Sequence, residues 1–423
     1  MFTGFAMYAQ VPTPAAEQEE AILLKGGVAH LGNGQVIQNS LIGFDNGKIT
    51  VVEDASNSSL DVVGYKVIDV SGKHVYPGFI LTNSRVGLQE VSSIRAMNDN
   101  SETGGVNPNV RSLVAYNTDS EMPATFRFNG ILLAESTPSG GRVSGSSSLM
   151  NMDGWNWEDA VQTADVAIHL NWPSQMSREW DFATFTRKTV PNKNYQSQVE
   201  TLETTFDDAI AYAKLASKVS NLKMAAMQGL FQGNQTLVIH AGGPKEIVEG
   251  VQFAKSKGVS KIVVAAGTSA LAVAPFLKEH GIGVILPPVH SLPSRADMDV
   301  DLPYRLPALL TDAGIKVALS HQGMLSGGRN LAFYAGTAVA YGMDKEAALQ
   351  AITSNPAEML GVSDKVGTLE EGKEATLFVS EGDAFDIRTN RLLSAYIQGR
   401  TIILDNKQQA LYMRYSDKYG HGE

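Results

Sequence analysis

Short apolar runs alternate with amphipathic stretches through the middle of the chain. Thr236-Leu-Val-Ile-His-Ala241 is followed by Gly242-Gly243. From 244 to 257, Ile247, Val248, Val251 and Ala254 keep the spacing of one helix face, with Pro244 at its start and Gly258 just past its end. Lys261-Ile-Val-Val-Ala265 predicts the next strand, residues 269–280 the next helix, and Gly283-Val-Ile-Leu286 a further strand. Ile315-Lys-Val-Ala-Leu-Ser320 predicts the last strand, ahead of a helical stretch at 330–341. Runs buried on both faces that alternate with helices predict a parallel sheet. Upstream strand candidates are Gly130-Ile-Leu-Leu-Ala-Glu135, Ser147-Ser-Leu-Met-Asn151 and Asp165-Val-Ala-Ile-His169, and the polar residues 85–128 read as a long excursion.

Both ends of the chain have a different pattern. Asn46-Gly47 between Phe44 and Ile49-Thr-Val-Val52 is a strong hairpin signal. Strand character returns late, at Ala375-Thr-Leu-Phe-Val379, Ala395-Tyr-Ile397 and Thr401-Ile-Ile-Leu404. The prediction is an α/β chain: a (β/α)8 TIM-like barrel over 77–363, with a small composite β-sandwich domain built from 21–76 and 364–415.

Composition narrows the function classes. A net charge of −10 and no run of basic residues argue against nucleic acid and against a polybasic membrane patch. No stretch approaches the length of a membrane span. The absence of cysteine excludes disulfides, thiolate metal sites and a lipoprotein anchor. Residues 1–20 read as an exported N-terminal segment, with cleavage near Ala9, although no Lys or Arg precedes Lys25. The expected location is therefore the periplasm or the outer surface.

Three stretches carry a family pattern. Val67-Ile-Asp-Val-Ser-Gly-Lys-His-Val-Tyr-Pro-Gly-Phe-Ile80 resembles the approach to the first barrel strand of the amidohydrolase superfamily. Ala351-Ile-Thr-Ser-Asn-Pro-Ala-Glu-Met-Leu-Gly361 resembles its helix after the last strand, and Val366-Gly-Thr-Leu-Glu-Glu-Gly-Lys-Glu-Ala-Thr-Leu377 its return to the β domain. Asn107-Pro108 and Ser139-Gly-Gly-Arg-Val-Ser-Gly145 are similar to segments of the imidazolonepropionase-like branch.

The resemblance implies one or two divalent metals that turn water into hydroxide. Its His-x-His pair falls on Asn83 and Arg85, a weak donor and a permanent cation without a lone pair. The bridging lysine falls on Asn151, and the sixth-strand histidine near Ala265-Ala266-Gly267. His240 matches the fifth-strand histidine, and His321 and Gln322 stand where the last strand carries its Asp. The expectation is no resident metal; if the protein is active, a single divalent ion such as zinc would sit at His240 and His321. Neutral imidazoles held by hydrogen bonds in a polar barrel mouth are the simpler use of these histidines, and of His169. His30, His74, His280, His290 and His421 fall at turns or helix ends.

Ser320 beside His321 does not make a dyad, because strand neighbours point apart. Arg85, Arg142 and Arg329, the last two in Ser-Gly-Gly-Arg sequences, are candidates to clamp a small anionic ligand. They could equally pair with surface acids. Trp155, Trp157 and Trp172 could line a groove or pack internally. Two functions follow. The first is a pseudoenzyme, an exported binding or assembly subunit partnered with a complete paralogous amidohydrolase or another exported protein. The second is a hydrolase of non-peptide, cyclic-amide C–N bonds with a reduced metal site.

Overall fold

The computed structural model describes residues 13–215, 219–323 and 325–421. The leader-like residues 1–10, and the cleavage position near Ala9, lie outside the described residues. Eight strands form one sheet in chain order: Phe79–Ser84, Ile131–Ser136, Val143–Asn151, Val161–Asn171, Thr236–His240, Ile262–Ala265, Gly283–Leu286 and Val317–Leu319. A parallel bridge between Thr82 and Ser320 joins the first strand to the last and nearly closes the barrel. Every strand adds a residue to one interior apolar cluster, from Ile80 and Leu133 round to Ile285 and Ala318. Each fully buried aliphatic side chain there contributes roughly 1.5–3 kcal/mol. The helix Pro244–Ser256 buries Ile247, Val251 and Ala254 on the face that their spacing predicts.

The third strand departs from a regular (β/α)8 order. It runs antiparallel to both neighbours, with Ser148 opposite Ser136 and Ser147 opposite Ala167. The cause lies in residues 137–142, which are too few for the helical crossover that a parallel return needs. Gly140 and Gly141 at φ 88° and 64° turn the chain back on itself instead. The two halves of the barrel therefore differ: from the fourth strand onward every pairing is parallel.

Residues from both ends of the chain build two further sheets. One has four strands, from Ala21–Lys25, Ser40–Asp45, Lys48–Asp54 and Tyr65–Asp69. The other has six and joins Val28–His30, Val36–Ile37 and His74–Pro77 to Leu377–Ser380, Leu392–Ile397 and Arg400–Thr401. Ile42, Phe44, Val75, Leu377 and Tyr396 share one apolar core between them. Asn46 and Gly47, at φ 46° and 75°, make the predicted hairpin turn. After Asn406 the chain is helical over Lys407–Tyr419, within the stretch to 415 that was expected to belong to the composite β domain. Features without a sequence forecast include the hairpin of Met176–Asp181 with Thr186–Pro191 and the helix Tyr195–Ala213.

His30 and His74 belong to paired strands rather than turns. His30 Nδ1 meets Glu346 Oε1 at 2.7 Å and its Nε2 meets His74 Nδ1 at 3.0 Å, with the His30 ring stacked on Tyr76. Outside the barrel, Asp153 accepts from Arg127 at 2.8 Å, from Arg400 at 3.3 Å and from the Ala15 N–H at 3.0 Å. That carboxylate ties the N-terminal segment and the last strand to the barrel wall. Among the described residues no helix is long and apolar enough to cross a membrane.

Candidate functional site

The C-terminal ends of the parallel strands open onto a cavity of about 360 Å³. Asn83, Asn171, Trp172, His240, Ser320 and Gln322 line it, together with backbone at Gly242 and Gly267. Beneath it lies a line of buried polar groups drawn from four strands. Glu135, wholly buried, accepts the Asn83 N–H at 2.7 Å, the Ser147 hydroxyl at 2.6 Å and a His169 ring N–H at 3.0 Å. His169, also wholly buried, reaches through Nδ1 to His240 Nε2 at 2.9 Å. His240 in turn lines the cavity.

The electrostatics order the protons along this line. Burial alone would raise the Glu135 pKa, but the His169 hydrogen bond and charge, the Ser147 hydroxyl and the Asn83 N–H together hold it below the usual carboxylate range. An ionised Glu135 requires a proton on His169 Nε2. His240 is pulled down to about 3, first by burial and then by His169, so it is neutral at physiological pH. The two rings share one proton between His169 Nδ1 and His240 Nε2.

A pH prediction follows. Below His240's ordinary value of 6.5 the unfolded chain binds a proton that the fold refuses, so this contribution is complete above pH 6.5 and falls away toward about pH 3. Glu135, depressed from 4.5, loses its contribution in the same direction as pH falls through and below that value. The chain should become progressively easier to unfold in urea from pH 6.5 to pH 4. The His240 ring carbon protons should hold their neutral NMR shifts down to pH 5; titration near 6.5 would contradict the buried line.

The strand ends place the sequence candidates unequally. Asn83, at φ 51°, is a left-handed kink in the first strand, where pairing slips between Leu81 and Ser84. That kink breaks the alternation which would set Asn83 and Arg85 on one side. Asn83 faces the cavity, while Arg85 lies past the strand's end and outside the lining. Asn83 Oδ1 accepts from Gln322 Nε2 at 2.6 Å, so the first and last strands meet there through two amides. The sixth-strand position presents only Ala265, Ala266 and Gly267.

His321 is not brought to His240. Its Nδ1 meets the Tyr334 hydroxyl at 2.8 Å, and its ring stacks on Tyr334 at 5.9 Å. Asn151 is not part of the mouth either. Because the third strand runs backward, Asn151 sits opposite Leu133, below the site, and lines a small cavity with Arg127 and Asp153. His169, on the fourth strand, lies beneath the mouth, in contact with His240. Arg142 precedes the third strand at the mouth end, where burial lowers its pKa, and Arg329 is exposed on the turn Leu325–Asn330. Trp172 lines the cavity, and its indole N–H reaches Tyr195 at 3.1 Å, whereas Trp155 is exposed.

Sequence reasoning treated His169 only as a satisfied strand-end histidine and passed over Glu135. A carboxylate at the end of the otherwise apolar Ile131-Leu-Leu-Ala was the available signal, since a buried charge requires partners.

The donor set does not suit a divalent metal. Nitrogen ligands come only from His169 and His240, and these two are turned on each other through a shared proton. Among the described residues no group of three or more His, Cys, Asp and Glu is arranged to hold a metal ion. Three or four protein ligands is the usual requirement for zinc.

The near-closed eight-strand sheet, with its site at the strand C-termini, defines a mixed α/β protein of the TIM-like barrel class. Residues 225–402 match the model of the amidohydrolase family. They cover the fifth to eighth barrel strands and the return into the six-stranded sheet. An amidohydrolase from Thermotoga maritima MSB8 superposes with a TM-score of 0.78 at 22% identity, over 90% of this chain and 99% of that one. An adenosine deaminase from Xanthomonas campestris with bound zinc gives 0.53 at 12%, over 96% and 99%. A molinate hydrolase gives 0.52 at 14%, over 92% and 96%. No curated protein sequence matches the chain.

Proposed function

We propose that this chain is a catalytically silent member of the amidohydrolase superfamily, from its imidazolonepropionase-like branch, whose barrel mouth binds a small polar molecule. The observation that carries the reading is the pair of closed hydrogen-bond systems at the strand ends. Glu135, His169 and His240 bond to one another, and Gln322 donates to Asn83, so that His240, Asn83 and Gln322, three positions that the resemblance assigns to metal donors, are taken up in hydrogen bonds within the protein. What remains on the cavity wall is amide, hydroxyl, indole and one neutral imidazole. Such groups bind by hydrogen bonding and stacking, and none of them activates water strongly.

In this reading the protein holds no resident metal and acts as an exported binding or assembly subunit, beside a catalytically complete paralogue or another exported protein. Its two terminal sheets act as a composite β-sandwich domain flanking the barrel. Arg142 and Arg85, near the mouth and without a carboxylate partner among the described residues, favour an anionic group on the bound molecule.

Metal content tests this directly. Protein purified without chelator and dialysed against metal-free buffer should contain almost no zinc, iron, manganese or nickel by elemental mass spectrometry. Close to one metal per chain, lost in His240→Ala, would overturn the proposal in favour of a working hydrolase of cyclic amides.

A further inference from the structure

At the opposite end of the barrel, where the fifth to eighth strands begin, the surface forms a second groove of about 460 Å³. Its walls carry Lys255, Lys261, Lys278 and Lys316, with His280 and a single carboxylate, Glu358. Glu358 is bound to Lys316. Lys255, Lys261 and Lys278 have no carboxylate within ion-pair reach among the described residues. Elsewhere lysines commonly find acids, as Lys257 does with Asp207, Lys345 with Asp383 and Lys407 with Glu121. A cluster of unpaired ammonium groups in a concave site, on a chain of net charge −10, concentrates positive potential in one place.

The turns around the groove leave room for these side chains. A Cβ on Gly314, which sits at φ +83°, would lie 2.9 Å from Lys278 Nζ. One on Gly361, at φ +71°, would lie 3.3 Å from Lys261 Nζ. Both positions need glycine for their backbone, and the missing side chains give the ammonium groups their space. Ile282, Ile315 and Met359, themselves largely buried, line its floor.

We propose that this groove is a binding site for a small, multiply charged anion: two or more phosphate or carboxylate groups carried on an apolar or aromatic body. The lysines take the charge, and the Ile282, Ile315 and Met359 surface takes the body. The volume falls in the range of about 300–1,000 Å³ common for small-molecule sites. The site is separate from the His240 cavity, so this inference stands apart from the function proposed for the mouth.

The test is calorimetric titration of the full chain at low salt with adenosine diphosphate and with inorganic pyrophosphate. Saturable binding of one adenosine diphosphate per chain is expected, tighter than pyrophosphate and weakening as salt rises. Lys261→Gln combined with Lys278→Gln should weaken it by at least about tenfold. Lys193→Gln, an exposed lysine away from the groove, and His240→Ala should leave it unchanged. Amide NMR shifts on binding should centre on Gly281 and Gly314. Absence of saturable binding by either probe, or binding indifferent to the double substitution, would overturn the assignment. Equal affinity for the two probes would overturn the role given to the apolar surface.

Discussion

Glu135→Ala is expected to lower the unfolding free energy by about 3–5 kcal/mol, the range for breaking a fully buried charged pair. The carboxylate accepts from three buried donors, the Asn83 N–H, the Ser147 hydroxyl and His169 Nε2–H, and at 2.6–3.0 Å it is the nearest or equally near acceptor for each. Removing it orphans the Asn83 N–H and leaves Ser147 and His169 only a long bond to Ala167 O and their contact with each other, and the cost of poorly satisfied donors adds to that of the lost contacts. Glu135→Gln should cost less, because the amide oxygen can still accept from two of the three. It would, however, set an N–H against a donor and remove the charge that fixes the His169 tautomer. Urea unfolding monitored by circular dichroism measures both variants. A loss below about 1 kcal/mol for the alanine variant, an ordinary surface-level effect, would show that the line is not the buried network described.

Asp153→Ala should be comparably severe, at about 3–5 kcal/mol. Asp153 is 7% exposed, and the two arginines that it pairs are more buried still, at 2% for Arg127 and 5% for Arg400. Burial presses the Arg127 guanidinium below its usual pKa, and Asp153 is the group that opposes this. Without the carboxylate, two guanidinium groups face each other in a dry wall, and the Ala15 N–H loses its acceptor. Replacing the charges together, as Arg127→Met, Asp153→Leu and Arg400→Met, should recover much of the loss, since an apolar set of similar volume avoids the desolvation that the ion set carries. If the triple variant unfolds as readily as Asp153→Ala, the effect lies in shape rather than charge.

The parts of the fold that were legible in the sequence are those where burial is continuous along the chain. The fifth to eighth barrel strands fall within predicted apolar runs, because a strand covered on both faces has little room for polar residues. Of the third strand only 147–151 was legible, for the opposite reason. Val143–Asn151 is largely serine, and Ser144 and Ser147 are buried by bonding to Gly140 and Glu135 rather than by being apolar. Its direction depends on the short Gly140-Gly141 return, which no periodicity reports. The hairpin at Met176–Asp181 and Thr186–Pro191 is mostly exposed and carries little burial pattern.

The site divides in the same way. That Asn83, Arg85 and Gln322 are poor metal donors follows from residue type alone. That Asn83 and Gln322 bond to each other while Arg85 falls outside the cavity depends on a left-handed residue in the first strand.

From the sequence alone came the alternation of strands and helices, the β character of both ends, and the weak metal-donor character of Asn83, Arg85 and Gln322. Local spacing and side-chain type encode these directly, through which face is buried and which atoms can donate. Tertiary structure alone decided that Glu135, His169 and His240 form one line, that His321 turns to Tyr334 instead, and that Asn151 lies at the wrong end of its strand. Those outcomes depend on register and direction between segments tens of residues apart, where each buried polar group must find a partner that its own neighbours in sequence cannot supply.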